Sequence, residues 1–200
     1  MPGFVGQAPN GFSDRAKGRG VVSSSWLAQV GKGGALSAGG GNIGSYTNVT
    51  GAGNGADTTA DTIGSIIIPA NTLDIAGRCI TLQAFGTVSL TSATKTVAFA
   101  FGSSITQSIV QYTTTNGGTW QAWIQIFKTA SNVQMALIQA DASGTTSTLL
   151  GVSGAGRQVV LNTSGTETDT AAITMKITGQ SSVATANLVI CNGFITDAFN

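Results

Sequence analysis

From residue 62 onward, short apolar runs recur every 8–12 residues with turn signals between them, and no window of useful length carries a helical repeat. Ile63 to Ile68 is continuous and is stopped by Pro69. Cys79, Ile80, Leu82 and Phe85 mark the next run, from Arg78 to Phe85. Lys95 to Phe101 alternates, with Val97, Phe99 and Phe101 on one face, and Ile105 to Tyr112 follows Gly102-Ser103-Ser104. Asn116-Gly117-Gly118 is a turn signal ahead of Trp120 to Lys128, and Ala130-Ser131-Asn132 turns the chain into Val133 to Gln139 as a hairpin. Leu149-Leu150, Val159 to Leu161, Ile173 to Ile177 and Val183 to Ile190 complete the series, with Phe194-Ile195 as an extension. This rhythm predicts an all-β domain, either a sandwich or a closed barrel.

Composition agrees. Of 200 residues, 28 are Thr and 19 Ser, whereas only 8% are charged. A long solvated helix would need Glu, Lys, Arg and Gln on its wet face, while β-branched Thr suits a sheet with one wet side. Low charge has a second consequence. A monomeric sandwich normally guards its edge strands with charges, and here Lys95, Lys128 and Lys176 are almost the only charged side chains within strands. Outer faces of Thr, Ser, Gln and Ala tolerate close contact, which points to a homo-oligomer.

What is missing excludes most chemistry. The chain has no histidine, which removes Ser-His-Asp and Cys-His nucleophile pairs, His-ligated zinc and the usual general base near neutral pH. Two cysteines, Cys79 and Cys191, cannot complete a Cys-rich metal site, and no Asp-x-Asp-x-Asp-Gly calcium loop occurs. Both lie in apolar runs and read as buried free thiols, with a disulfide as the alternative. Glu167 is the only glutamate, so a glycosidase-type carboxylate pair would depend on scattered aspartates. No catalytic residues, metal or cofactor are expected. No window has the length of a membrane span, and no export signal is read.

The first 64 residues differ from the rest. They hold 16 of the 28 glycines, and residues 1–56 carry a net +3 against −2 for residues 57–200. Such glycine density disfavours an independent core. Yet Phe4, Phe12, Trp26, Leu27 and Tyr46 are spaced through it as apolar anchors, and Arg15, Lys17, Arg19 and Lys32 supply charge. Residues 1–61 are therefore expected to form an extended arm that lies on a neighbouring surface, followed by a β-sandwich over residues 62–200. Gly51-x-Gly53-x-Gly55 does not match a phosphate-binding loop and reads as a flexible spacer. The three charges at 15–19 fall short of a dedicated nucleic-acid footprint. Trp120 and Trp123 stand three apart in one strand, hence on opposite faces. One is expected in the core, and the other as an interface anchor or a platform for a sugar ring; Tyr112 is a further candidate for that role.

Three stretches carry a resemblance. Ser65-Ile66-Ile67-Ile68-Pro69-Ala70-Asn71-Thr72-Leu73, the run Gly77-Arg78-Cys79 through Phe85-Gly86-Thr87, and Thr94-Lys95-Thr96-Val97-Ala98-Phe99-Ala100-Phe101-Gly102 are similar to jelly-roll structural proteins of tailed bacteriophage virions, over residues 62–140. The resemblance implies a jelly-roll-like antiparallel β-sandwich that forms a homotrimer and has no catalytic residues. It leaves two roles open. The first is a capsid decoration (cement) protein on the outer capsid surface, made in the host cytoplasm, whose arm anchors it to the major capsid protein. The second is a tail-fibre, head-fibre or receptor-binding module contacting host glycans through Trp123, Tyr112 or loop residues. A carbohydrate-active enzyme on a jelly roll is a third class, disfavoured by the missing histidines and near-absent glutamates.

Overall fold

The structure, a computed structural model, describes residues 42–48, 52–113, 115–144, 148–150, 152–153 and 158–199. The chain divides into two compact units, residues 1–44 with 199–200 and residues 45–198. Nearly all of the first lies outside the described residues, including Phe4, Phe12, Arg15, Lys17, Arg19, Trp26, Leu27 and Lys32.

The described residues form strands without helices. In chain order these are β1 Asn42–Asn48, β2 Ala52–Gly53, β3 Asp61–Ile68, β4 Cys79–Val88, β5 Lys95–Phe101, β6 Ile105–Tyr112, β7 Gly118–Ala130, β8 Val133–Ala142, β9 Thr148–Leu149, β10 Val152–Ser153, β11 Gln158–Gly165, β12 Ile173–Ser181 and β13 Val189–Phe199. One sheet has the order β1-β13-β4-β7-β8-β11, with β2 also on β13; the other runs β10-β9-β6-β5-β12-β3. The described registers are all antiparallel. Taking β1 or β2 as first, then β3, β4, β5, β6, β7, β12 and β13, the sheets read 1-8-3-6 and 2-7-4-5, which is the jelly-roll order. β8 and β11 widen the first sheet, and β9 and β10 the second.

Alternation in the sequence becomes alternation of burial. Along β7, Trp120, Ala122, Ile124, Ile126 and Lys128 are buried, while Gln121 and Trp123 are exposed. β4 and β8 alternate in the same way, so Ile80, Leu82, Ala84, Ala136, Ile138 and Ala140 join one inner layer. From the second sheet come Val97, Phe99, Phe101, Ile109, Val110 and Ile177. Each fully buried large apolar side chain contributes about 1.5–3 kcal/mol, and this layer is the principal source of stability. Gly86 sits opposite Trp120, and a Cβ there would overlap the Ile190 carbonyl oxygen, so only glycine allows β13 to approach so closely.

Several expectations change. The strand expected over Val183 to Ile190 is a loop up to residue 188: Val183 is exposed, Asn187 has φ 60°, and β13 starts at Val189 and takes in Phe194-Ile195. The spacer and boundary change too. Asn54 is 1% exposed and stitches residues 52–55 to β13. Its Oδ1 accepts the Leu188 and Val189 N–H groups at 2.8 and 2.9 Å, and its Nδ2 donates to the Gly55 and Thr185 carbonyls. Gly55 N–H in turn donates to Asp61 at 2.7 Å. Residues 52–61 thus belong to the sandwich, because Asn54 supplies hydrogen bonds that the start of β13 would otherwise lack.

Two of the strand lysines, Lys95 and Lys128, lie inside. Lys95 is fully buried, and its Nζ donates to the Thr91 and Asn116 carbonyls at 2.9 and 2.7 Å. Lys128 pairs with Asp169. Around that carboxylate, Gln134 Nε2 donates at 2.9 Å and the Asn132 N–H at 2.6 Å, while Asn132 Oδ1 accepts the Asp169 N–H. Asn132, with φ 51°, makes the tight β7–β8 turn. The network fastens that turn to the segment preceding β12 and satisfies both buried charges.

A candidate ligand-binding face

The outward side of the first sheet carries the candidate site. Registers place its residues in rows across β4, β7 and β8: Thr81–Gln125–Leu137, then Gln83–Trp123–Gln139, then Phe85–Gln121–Asp141. Strands are about 4.8 Å apart, and successive outward residues about 6.8 Å apart along each strand. Trp123 is 50% exposed with a glutamine on either side in its row; Phe85, 43% exposed, stands diagonally one row on. That diagonal separation, about 7–8 Å, allows two aromatic rings to serve one ligand. Gly193 of β13 holds the Phe85 ring in place by having no side chain: a Cβ there would run into the end of the ring.

Three depressions follow the strand direction and share linings. One of about 220 Å³ lies between Trp123, Gln125, Leu137 and Gln139. The next, about 300 Å³, is lined by Gln83, Phe85, Gln121, Trp123, Gln139 and Asp141. A third of about 430 Å³ continues past Phe85, Gln121 and Asp141 to Thr119, Ser143 and Asn192. At its far end Thr119 and Ser143 hydroxyls pair at 2.8 Å, and Ser143 Oγ accepts the Thr119 N–H. Asp141 is the one charged side chain among the described residues lining this trough.

The aromatic residues singled out from sequence separate sharply. Trp120 is 2% exposed and belongs to the core, whereas Trp123 lies outside. Tyr112, expected among the exposed contacts, is a correction: it is fully buried, with its hydroxyl 2.9 Å from the Thr119 carbonyl and 2.8 Å from that of Ser143. It ties β6 to β7 and to the segment after β8, and burial pushes its phenol up to about 12. Tyr46 lies in β1, and its side chain falls outside the described residues.

The outward neighbours of Trp123 were not singled out from sequence. The alternation in β7 points Gln121 and Gln125 to the Trp123 side, but which residues of β4 and β8 stand beside them depends on register, which a single strand does not encode. Cys79 also faces outward, partly buried opposite Phe127, and Cys191 is buried; both are free thiols. Burial pushes each to about 11, so neither is a thiolate nucleophile at neutral pH. Among the described residues no group of three or more Cys, Asp or Glu could hold a metal ion, and no helix is long and apolar enough to cross a membrane.

No protein-family model matches the chain, and comparison with curated proteins yields no match. Among solved structures, the chain is similar to the CBM2 module of the Lactobacillus casei BL23 phage J-1 evolved Dit, with a TM-score of 0.26 and 7% identity over 66% of this chain and 67% of that one. Overlap at that level assigns neither a site nor a function to this chain.

Proposed function

We propose that this protein is a non-catalytic structural component of a bacteriophage virion that attaches to a glycan through the outward face of its first sheet. The single observation that carries the glycan reading is Trp123, half exposed at the centre of a trough and flanked in register by Gln83 and Gln139. The flat, C–H-rich side of a pyranose ring covers an indole face, while amides beside it exchange hydrogen bonds with ring hydroxyls. A lone carboxylate in the lining supports binding over hydrolysis, since glycoside cleavage ordinarily needs two. The phage context rests on the sequence resemblance of residues 62–140 and agrees with the jelly-roll strand order.

A second reading, capsid decoration by a homotrimer that bridges major capsid subunits, is favoured by the glycine-rich, sparsely anchored, basic segment at residues 1–41. An arm of that kind follows an irregular groove and multiplies weak contacts by symmetry. Two measurements separate the readings. Wild type and Trp123→Ala are applied to a glycan array; binding by the first and not the second is expected, and no binding by wild type overturns the glycan reading. Protein lacking residues 1–41 is then mixed with expanded capsids, and undiminished decoration rules out the arm as the anchor. The cut spares Asn54, whose loss would damage the sandwich itself.

A further inference from the structure

We infer, resting on the glycan reading above, that the ligand is an uncharged, linear saccharide several rings long that lies along β7, with Trp123 as its main stacking point and Phe85 as a second. Direction comes from the shared linings: Leu137 and Gln125 at one end, Trp123 and Gln121 in the middle, and Thr119 and Ser143 at the other, all on a single line. From Gln125 to Thr119 the strand rises about 20 Å, room for several pyranose rings in succession but far more than one monosaccharide fills.

Chemical class comes from the polar groups. The rows present side-chain amides on both sides of the indole, Gln83 and Gln139 beside Trp123, then Gln121 and Gln125 before and after it. Each amide both donates and accepts, which matches hydroxyls that do the same and gives no preference to a carboxylate or phosphate. Among the described residues lining the trough there is no Lys or Arg to balance an anionic sugar, and Asp141 would oppose one. Sialylated, uronic-acid or phosphate-bearing glycans therefore bind poorly. Because no ion pair forms, binding is nearly insensitive to salt.

Gly193 determines whether the second stacking point exists. The Phe85 ring lies where a Cβ on Gly193 would be, so Gly193→Ala turns the ring aside without touching Trp123. Short saccharides that reach only Trp123 should notice nothing; longer ones should lose the gain from their additional rings.

The test uses the full chain on an array of neutral oligosaccharides (cellohexaose, maltohexaose and chitohexaose among them) and acidic ones, including hexagalacturonate and sialylated glycans. The best neutral binder is then titrated as a ladder from two rings to six, at low and high salt. Expected are neutral-only binding, affinity that rises with length, and little salt effect. Trp123→Ala should lose roughly thirtyfold or more at every length, and Phe85→Ala and Gly193→Ala should flatten the ladder. Binding of acidic glycans at equal strength, strong salt dependence or a flat wild-type ladder overturns this inference and leaves the glycan reading standing. Absence of binding to every saccharide overturns both. Thermal unfolding of each variant, expected to match wild type for Trp123→Ala, separates lost contact from lost fold.

Discussion

The two faces of the first sheet are made from the same strands, yet they answer to different demands. Inward, β7 offers Trp120, Ala122, Ile124 and Ile126 to a layer filled from the second sheet, and side-chain volume decides what fits. Outward, the same strand offers Thr119, Gln121, Trp123 and Gln125 to the trough. Packing does not ask for a tryptophan there, and leaving half of one in water forfeits the gain from burying it. The contrast teaches that inner residues are explained by the fold, whereas an outer aromatic among amides needs a partner outside it.

That contrast breaks if the two tryptophans behave alike. Trp120→Ala should cost about 3–5 kcal/mol in urea unfolding by opening a large cavity. Trp120→Phe should cost far less than Trp120→Ala, because a phenyl ring keeps most of the buried volume and the indole N–H has no hydrogen-bond partner among the described residues. Asp169→Ala should cost nearly as much, about 3 kcal/mol, by stranding the Lys128 ammonium; restoration of stability in the double variant Lys128→Met with Asp169→Leu would locate that cost in the uncompensated charge. Asn54→Ala is expected to lose about 1–3 kcal/mol, since two backbone N–H groups of residues 188 and 189 are left without acceptors. A loss much below that would return residues 52–61 to the status of a spacer.

At the small end lie Glu167 and Trp123. Glu167 Oε1 accepts the Ser103 and Ser104 N–H groups at 2.6 and 2.7 Å. Partial burial pushes the Glu167 carboxyl up, but the hydrogen bonds from Ser104 and Ser103 outweigh it and hold the group below its ordinary 4.5. A depressed carboxylate stabilises the fold above the unfolded-state value and ceases to do so as pH falls through the folded one. Glu167→Gln should therefore lose about 1 kcal/mol at neutral pH, with the gap from wild type closing in acid, as read by denaturation across pH. Trp123→Ala should change stability by less than about 0.5 kcal/mol. A Trp123 variant as unstable as the Trp120 one would erase the distinction between the faces.

Much of the fold was legible because its signals are local. Lys95–Phe101 and Ile105–Tyr112 alternate or cluster without interruption and became β5 and β6 with the expected bounds. The separation of Trp120 from Trp123 followed from strand parity alone. What escaped depended on partners distant in sequence. Asn54 looked like part of a glycine spacer because every side-chain partner except the neighbouring Gly55 carbonyl lies more than 130 residues away. Tyr112 looked available because the carbonyls that hold it belong to β7 and the segment after β8. Lys128 carried no sign of its partner because Asp169 lies 41 residues further on, and Val183 read as strand although its run had no ladder to join. The face around Trp123 was half visible: β7 announced its own outward residues, and only register supplied Gln83, Phe85, Gln139 and Asp141.

The Asn54 clamp also orders events in time. A ribosome delivers residue 54 long before residues 188 and 189, and β3 likewise waits for β12. Closure of this sandwich is thus deferred until nearly the whole of it has been synthesised, and the nascent chain must hold its apolar strands apart meanwhile. Sparse charge on those strands makes that interval the stage at which the protein is most exposed to aggregation, and at which a chaperone would matter most.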